Sequence, residues 1–160
     1  MTDATRPGEV LLRQGLPEDA TLSFLGRIHT PWSTRADCPH QGRLDGPLCT
    51  VEVIPEVVPA LKGLSPGDLI ELTYWLHHSR RDLLVQRPRR DGDTLFGTFA
   101  LRSPQRMNPL GISVVVLEGI DGHQLRVRGL DCADGTPLID IKPERCGYSP
   151  KAAPKAADRP

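Results

Sequence analysis

The feature that most limits how this chain can fold is a series of short strand-like segments with almost no helical pattern between them. From about Leu22 onward, each segment is rich in β-branched and aromatic residues and is bounded by glycine, proline or aspartate. Runs of this kind predict β-strands. A parallel sheet would need a crossover of about a dozen or more residues, usually a helix, between successive strands. The sequence therefore predicts an all-β fold, a small closed or partly open β-barrel with little helix, from these segments: SFLGRIHTP, LCTVEVIPEV, LIELTYWLH, DTLFGTFAL, GISVVVLEGI, HQLRVRGLD and PLIDIKP.

Helical pattern is confined to one short stretch, EVVPALKGL, which ends at Gly63 and the SPGD sequence at 65–68. The chain has no GxGxxG motif between a strand and a helix, which is the fingerprint of dinucleotide-binding Rossmann folds. A non-Rossmann architecture is therefore expected. At 121–123 the sequence DGH predicts a tight turn between two strands.

One domain is expected, because a chain of 160 residues is long enough for a single core. The first residues and the last ten, KAAPKAADRP, are polar, and the last ten are rich in alanine and proline. Such composition is typical of segments without fixed structure. We therefore expect a β-barrel domain at 22–149, between a mobile N-terminal segment at 1–21 and a mobile tail at 150–160.

The charge balance gives no sign of an extended surface for nucleic acid or membrane. Lysine plus arginine number 20, equal to aspartate plus glutamate, so the formal net charge is zero. Any contact with RNA must then come from a local cluster. The start, MTDATRPGEV, lacks the features of a signal peptide, and no run reaches the roughly 18 apolar residues of a membrane span. We expect a cytoplasmic protein without a membrane partner.

The four cysteines predict neither a disulfide framework nor a metal site. Cys38, Cys49, Cys132 and Cys146 lie far apart and form no Cys-x-x-Cys pair, which suits reduced thiols. Cys38 and His40 could supply half of a zinc site, but no second pair has ligand spacing. We expect no bound metal.

Two polar stretches stand apart from the strand pattern. Residues 101–113, LRSPQRMNPLGIS, contain two arginines, two prolines and an asparagine where a strand would otherwise continue. Residues 134–137, DGTP, have the composition of a turn in which glycine supplies an unusual φ. On composition alone, 101–113 is explained equally well as an ordered loop, with Pro104 and Pro109 fixing the backbone, or as a functional site.

Together these stretches resemble the TsaA/TrmO-like family, also called YaeB-like. Its members carry a similar RS-x-x-R-x-NP-[IL]-G-x-S motif followed by DGTP-x-x-DIKP, matched here by 102–113 and 134–143. The likeness extends to LGRIHTP, PHQG and YWLHH and covers roughly Phe24 to Tyr148. Two long motifs in the same order are a far stronger match than one short pattern. The chain departs from the family pattern at His29, His40, Gln105 and Met107.

The resemblance implies a small β-barrel that forms a homodimer and binds S-adenosylmethionine without a Rossmann fold. It also implies a reaction, methylation of N6 of threonylcarbamoyladenosine, the modified base 3′ of the anticodon in certain transfer RNAs. Two alternatives stay open. One is a methyltransferase of the same fold with another substrate, because longer relatives continue into a second, C-terminal domain. The other is a non-catalytic barrel that binds S-adenosylmethionine or RNA, because several family positions are replaced.

The same resemblance implies a cofactor site built from several loops. Arg102 could supply a bidentate guanidinium for a carboxylate or for ribose oxygens, with the Ser103 hydroxyl beside it. Leu117 is most simply a core residue and only alternatively a contact for adenine. Adjacent histidines on a strand point to opposite faces, so at most one of His77 and His78 is expected to face the site. The full set of implied cofactor-binding residues is His40, Gln41, His77, His78, Arg102, Ser103, Leu117, Asp134, Gly135, Thr136 and Pro137.

Three polar residues are candidates for the transfer step itself, namely Asn108, Asp134 and Asp140. N6 of the modified adenine is a poor nucleophile, because its lone pair is delocalised into the purine and the carbamoyl group. A carboxylate could accept the N6 proton, whereas an asparagine could only orient it. Asp140 and Lys142 share one face of their strand, so a surface ion pair is the alternative role for Asp140.

Residues 80–93, RRDLLVQRPRRDGD, contain five arginines around a short apolar step. A solvated hairpin would explain them. A track for RNA phosphates would explain them too, since neutralising several phosphates gives sequence-independent, salt-sensitive binding. In a chain of zero net charge the local cluster favours RNA contact by Arg80, Arg81, Arg87, Arg89 and Arg90.

Overall fold

The computed structural model describes residues 4–16, 20–88 and 94–144. Within these ranges the chain forms nine strands and two short 3₁₀ helices. The strands are β1 Val10–Leu11, β2 Gly26–His29, β3 Cys49–Val53, β4 Leu69–Trp75, β5 Leu83–Gln86, β6 Phe96–Gly97, β7 Leu110–Asp121, β8 Gln124–Arg128 and β9 Thr136–Pro143. The 3₁₀ helices are η1 Pro55–Leu61 and η2 Thr98–Ala100.

Six strands form a closed barrel in the order β2-β3-β8-β7-β4-β9, and β9 pairs with β2 to complete the ring. Every neighbouring pair is antiparallel. Closure of this kind removes the sheet edges that an open sheet would expose. The predicted all-β barrel with little helix is confirmed, and its six strands come from six of the seven strand-like segments.

The barrel core follows from alternation along the strands. Successive side chains of a strand point to opposite faces, so Ile70, Leu72 and Tyr74 of β4 are buried while Glu71 and Thr73 between them are partly exposed. Full burial of an aliphatic side chain contributes roughly 1.5–3 kcal/mol. The fully buried aliphatic residues of the other barrel strands are Ile28, Val51, Val115, Leu117, Leu125, Val127 and Leu138.

A second sheet, with strand order β1-β5-β6, is separate from the barrel ladder. The segment 1–21, which the sequence predicts to be mobile, contributes β1 to this sheet, where Val10 pairs with Val85. The sequence pattern does not predict β1 or β5, because each contains only a short apolar run, VLL or LLV, among polar residues. The predicted tail at 150–160 lies outside the described residues.

The segment DTLFGTFAL is predicted as one strand, but only Phe96–Gly97 is a strand and the next three residues form η2. Thr98 accounts for the turn. It is buried, its hydroxyl donates to the Leu83 carbonyl at 2.7 Å, and it accepts from Gln86 Nε2 at 2.8 Å. Threonine side chains that bond in this way compete with the strand ladder.

The strand directions give the barrel two unlike ends. Strands β2, β4 and β8 finish at one end, where β3, β7 and β9 begin. We call it the loop end, and the other the hairpin end. The loop end carries the connections 30–48, 76–82, 98–109 and 129–135, and the hairpin end carries 54–68 and 122–123.

Short local structure closes the hairpin end. The predicted DGH turn is confirmed, since Asp121 pairs with Gln124 and Gly122 has a φ of +57°. The predicted helical stretch overlaps η1, which is a 3₁₀ helix. Pro59 within it has no N–H to donate to an α-helical ladder, and Leu61 at its end is buried.

Candidate active site

The loop end gathers motif residues from four separate connections. Pairing of Trp75 with Leu110 and of Tyr74 with Leu138 brings the end of β4 beside the starts of β7 and β9. Connections far apart in sequence therefore leave the barrel on the same side. The predicted site residues on these connections are His40, Gln41, His77, His78, Arg102, Ser103, Asn108, Asp134 and Gly135.

Arg106 holds the loop that follows η2. Its Nη1 donates to the carbonyl oxygens of Leu101 at 2.5 Å, Thr98 at 3.3 Å and Ser103 at 3.5 Å. One guanidinium nitrogen thus pulls three carbonyl groups of a short segment together. Residues 98–106 therefore form an ordered loop. Of the two explanations that the sequence offered for 101–113, the ordered loop holds for this part.

Arg102, the other arginine of the motif, is in a different environment. Its side chain is exposed, and no described residue accepts a hydrogen bond from it. The loop beneath it is rigidly supported, because the buried Gln86 side chain donates to the Gln105 carbonyl at 2.9 Å. The family resemblance implies a role for Arg102 alone, and the structure adds a supporting role for Arg106 beside the accessible Arg102.

The start of β7 is fixed to the end of β4. The Leu76 N–H donates to the Pro109 carbonyl at 2.8 Å, and Arg81 Nε donates to the Met107 carbonyl at 2.8 Å. Asn108 lies between the two acceptors and keeps an exposed side chain. Its amide is therefore available at the loop end.

His77 and His78 lie in a turn after β4 ends at Trp75. The His77 N–H donates to the Trp75 carbonyl at 2.8 Å, and the two imidazole rings lie 3.8 Å apart between centroids. The expectation that they point to opposite faces is wrong, because it assumed that the strand continues. Partial burial and the charge of His78 lower the pKa of His77. Its imidazole is therefore neutral near pH 7, with one donor and one acceptor nitrogen.

The DGTP turn is bound to the end of β2. The Gly135 N–H donates to the Ile28 carbonyl at 2.9 Å. Asp134 Oδ1 accepts the Thr30 N–H at 3.1 Å and lies 3.4 Å from His29 Nδ1. Its Oδ2 has no partner among the described residues, and the side chain is 50% exposed. Asp134 therefore keeps one accessible carboxylate oxygen at the loop end.

Thr136 and Pro137 are buried behind this turn. The Thr136 hydroxyl donates to the Ala133 carbonyl at 2.7 Å, and Pro137 pairs with Arg27 in the β2–β9 ladder. Their side chains hold the turn in shape and have little surface for a ligand.

A family profile matches residues 27–151, and it is that of the tRNA-methyltransferase O (TrmO) N-terminal domain. The chain belongs to the TrmO family. Its barrel matches two solved structures. The crystal structure of TrmO from Pseudomonas aeruginosa has a TM-score of 0.71 at 30% identity, over 92% of this chain and 65% of that one. A second TrmO crystal structure has a TM-score of 0.72 at 31% identity, over 89% of this chain and 66% of that one. This chain thus spans about two thirds of the solved TrmO chains.

Curated relatives carry related names. The probable S-adenosyl-L-methionine-binding protein VirR of Rhizobium radiobacter is 50% identical over 139 residues, which are 86% of this chain and 79% of VirR. A probable S-adenosyl-L-methionine-binding protein of Methanothermobacter thermautotrophicus is 41% identical, over 74% of this chain and 85% of its own length. The putative S-adenosylmethionine-dependent methyltransferase RcsF of Pseudomonas aeruginosa is 40% identical, over 77% of this chain and 56% of RcsF.

Two residues that the TrmO resemblance implies lie away from the loop end. Leu117 is fully buried, and its backbone bonds to Gly67 at 2.7 Å and Asp68 at 2.9 Å, next to the hairpin end. Asp140 lies along β9 and forms an ion pair with Lys142. The geometry thus favours the core role for Leu117 and the surface ion pair for Asp140, the alternatives that the sequence left open.

Two of the five predicted RNA-binding arginines pack against other parts of the chain. Arg80 forms an ion pair with Asp82, with Nε 2.7 Å from Oδ1, and its side chain is only 10% exposed. Arg87 Nη2 donates to the Pro7 carbonyl at 3.1 Å. Arg80 Nη2 also donates to the Thr5 hydroxyl at 3.3 Å, so both arginines contact the N-terminal segment whether or not they touch RNA.

Arg81 is the exposed arginine of the described three. Its guanidinium lies 5.2 Å from the centroid of the Trp75 ring, a cation–π distance. Arg89 and Arg90 lie outside the described residues. RNA contact by this cluster stays a prediction.

A buried polar network lies beneath the loop end, and the sequence pattern missed it. Asp131 Oδ1 accepts hydrogen bonds from the Tyr74 hydroxyl at 2.7 Å and the Ser113 hydroxyl at 3.1 Å. Tyr74 and Ser113 are both buried. Burial and the charge of Asp131 raise the pKa of Tyr74, so its hydroxyl stays protonated. The available signal was Ser113 at an inward-facing position of an apolar strand, which requires a polar partner.

Within 4–16, 20–88 and 94–144, no group of three or more histidine, cysteine, aspartate or glutamate side chains is arranged to hold a metal ion. Cys38, Cys49 and Cys132 are free thiols. In the same part of the chain, no helix has the length and apolar character needed to cross a membrane.

Proposed function

We propose that this protein is an S-adenosylmethionine-dependent transfer RNA methyltransferase that methylates N6 of threonylcarbamoyladenosine, 3′ of the anticodon. The observation that carries the proposal is the meeting of four TrmO motif stretches at one end of the barrel. The names of VirR, as an S-adenosylmethionine-binding protein, and of RcsF, as a putative methyltransferase, support the cofactor and the reaction class.

The side chains at the loop end suit the parts of S-adenosylmethionine. A guanidinium binds a carboxylate through two parallel hydrogen bonds. The guanidinium of Arg102 is exposed and can bind a carboxylate in this way. The exposed Gln41 amide and the imidazole of His77, with one donor and one acceptor nitrogen, can form hydrogen bonds to the nucleoside. We therefore assign Arg102 to the amino-acid carboxylate, and the loops of Gln41 and His77 to the nucleoside.

S-adenosylmethionine, when bound, supplies an electrophilic methyl group. The part of the protein is to hold N6 in line with that group, and such positioning is worth roughly 7–11 kcal/mol. Asp134 Oδ2 can accept the N6 proton, because this oxygen has no partner in the described structure. The Asn108 amide can orient the adenine beforehand.

For the RNA, Arg81 is the best supported phosphate contact, because its guanidinium is exposed beside Trp75 at the loop end. RNA contact by Arg89 and Arg90, which lie outside the described residues, is part of the same proposal. Turnover should then fall steeply as salt rises, since bound phosphates release counterions.

A homodimer is part of the proposal. The outer face of β7 exposes three aliphatic side chains, with Leu110 at 41%, Ile112 at 47% and Val114 at 37% exposure. This row begins directly after Asn108 and Pro109, so a second copy seated on it would lie beside the candidate active site. Light scattering of wild type and Ile112→Lys tests this, and a wild-type monomer with full activity contradicts it.

The reaction is tested with transfer RNA that carries or lacks the threonylcarbamoyl group. The protein is incubated with S-adenosylmethionine and each RNA, and the RNA is digested to nucleosides for mass spectrometry. A methylated product from the carbamoylated RNA alone is the expected result. Equal methylation of both RNAs points to another substrate, and cofactor binding without any methylation points to a binding protein.

A further inference from the structure

The PHQG loop, residues 39–42, is attached to the segment that connects β8 and β9. The Gly42 N–H donates to Asp131 Oδ2 at 3.3 Å. Gly42 also packs so closely that a Cβ built on it would lie 1.7 Å from the Gly129 carbonyl oxygen. Backbone therefore touches backbone, and the Asp131 carboxylate supplies the side-chain contact.

Asp131 is itself held from the barrel interior. Its Oδ1 accepts from Tyr74 and Ser113, which sit on two neighbouring strands, β4 and β7. The Tyr74 ring reaches Asp131 because it lies across Gly111, where a Cβ would be 2.1 Å from Tyr74 Cε2. The Gly-x-Ser of the NPLGIS motif thus has a physical reason, since the glycine admits the ring and the serine bonds to its hydroxyl.

We propose that Asp131 is a positioning residue, which holds the PHQG loop at the loop end by accepting the Gly42 N–H and so presents His40 and Gln41 there. What the loop binds rests on the proposed function. Both oxygens of Asp131 are engaged within the chain, so it acts through the loop. Its neighbours Leu130 and Cys132 are each 2% exposed, which fixes the backbone that carries the carboxylate.

Preorganisation is the physical gain from this arrangement. A loop that is already ordered loses less conformational entropy when a ligand binds. His40 and Gln41 of the loop have exposed side chains. Gly42, which follows them, joins the loop to the rest of the domain through its bond to Asp131. Removing the acceptor should therefore loosen the loop while the barrel strands keep their ladders.

Hydrogen exchange of the Gly42 amide tests the contact without any ligand. In Asp131→Ala the exchange should accelerate about tenfold or more, which corresponds to one hydrogen bond to a charged group. Asp131→Asn keeps an oxygen for Gly42 and turns its NH₂ toward the Tyr74 and Ser113 oxygens, so exchange should stay close to the wild-type rate. Unchanged exchange in Asp131→Ala overturns the proposal.

Calorimetry with S-adenosylmethionine tests the consequence for binding. Asp131→Ala should raise the dissociation constant about tenfold, and Asp131→Asn should restore most of the affinity. Tyr74→Phe is the matched control, because it removes a partner of Asp131 and leaves the bond to Gly42. It should lower the melting temperature and leave the affinity near that of wild type.

Two outcomes separate this inference from the proposed function. If Tyr74→Phe keeps Gly42 exchange at the wild-type rate and still weakens binding as much as Asp131→Ala does, the network supports the fold in general and the positioning role is refuted. If wild type does not bind S-adenosylmethionine, the proposed function fails, and Gly42 exchange still decides whether Asp131 holds the loop. Should Asp131→Ala prove too unstable, the double variant Tyr74→Phe/Asp131→Ala removes the buried phenol hydroxyl, which would keep only Ser113 as a partner, and serves in both assays.

Discussion

The loop end and the hairpin end belong to the same six-strand barrel, yet the connections between the strands differ in length and in composition. At the hairpin end, Gly122 and His123 make a two-residue turn, and η1 covers the barrel with the buried Leu61. At the loop end, long connections carry exposed polar side chains that are supported from below by Arg106 and Asp131. Stability and ligand binding should therefore respond to different substitutions in this barrel.

The largest expected effect lies in the core toward the hairpin end. Leu117→Ala should lower the free energy of unfolding by about 2–5 kcal/mol, because it leaves a cavity among fully buried neighbours. Urea titration measures this loss. The dissociation constant for S-adenosylmethionine, measured well below the melting temperature, should not change. Weaker binding by the folded variant would support the alternative in which Leu117 contacts adenine.

The next effect should appear at the loop end and in binding only. Arg102→Ala should cost about 1.5–3 kcal/mol of S-adenosylmethionine affinity, the range for a hydrogen bond to a charged group. Its melting temperature should stay that of wild type, because no described residue depends on its guanidinium. Arg106→Ala is the paired control, and it should lower the melting temperature since three carbonyl groups lose their donor. Unchanged affinity in Arg102→Ala removes this residue from the site.

Two buried acids beneath the loop end should make stability depend on alkaline pH. Burial raises the pKa of both Tyr74 and Cys132, so both stay protonated in the fold, whereas the unfolded chain ionises at ordinary values of about 10 and 8.5. Their contribution is complete below about pH 8.5, and above it each released proton lowers stability by about 1.4 kcal/mol per pH unit.

Urea titrations at a series of pH values measure this slope. Cys132→Ala should lessen the decline between about pH 8.5 and 10, and the buried Cys49 thiol, whose pKa burial also raises, accounts for what remains there. Tyr74→Phe should lessen the steeper decline above about 10. If the free energy of unfolding of the wild type stays constant above about pH 10, the pKa values of both side chains are not raised by folding, and water reaches both of them.

The smallest effect should come from the turn at the hairpin end. Gly122→Ala should cost about 1–2 kcal/mol of stability, because a φ of +57° brings the new Cβ close to the backbone. Nothing lies within 4 Å of that Cβ, so no packing clash adds to the cost. Gly122→Asn should cost less, since asparagine tolerates this conformation. Cofactor affinity and methylation should match wild type in both variants, and a loss of either would tie the two ends together.

The barrel could be predicted from the sequence because β-branched composition and bounding turn residues are local properties. β7 comes from the segment GISVVVLEGI, and its prediction needed no partner strand. The sheet of β1, β5 and β6 could not be predicted, because its strands are short and owe their form to tertiary pairing. The prediction of one strand over DTLFGTFAL was wrong for a related reason. The Leu83 carbonyl, which accepts from Thr98 where this strand ends, lies on another strand.

The candidate site could be predicted only as a set of loops. The motifs indicated connections that lie together at the loop end, and the resemblance implied a ligand role for Arg102 but no role for Arg106, which supports the loop. Asp131 was missed because its partners Tyr74 and Gly42 are 57 and 89 residues away in sequence. No spacing rule joins residues at such distances, and only the register of β4, β7 and the β8–β9 connection brings them into contact.

The position of β9 in the ring has a consequence for how the protein is made. β9 is the last described strand, and its two partners are β2 and β4. Before β9 pairs, the five other barrel strands can form only an open sheet whose edges are β2 and β4. Unpaired sheet edges can join to other chains, above all in a nascent chain. Closure by β9, which ends in the DIKP segment, therefore ends the period in which this chain is most exposed to aggregation.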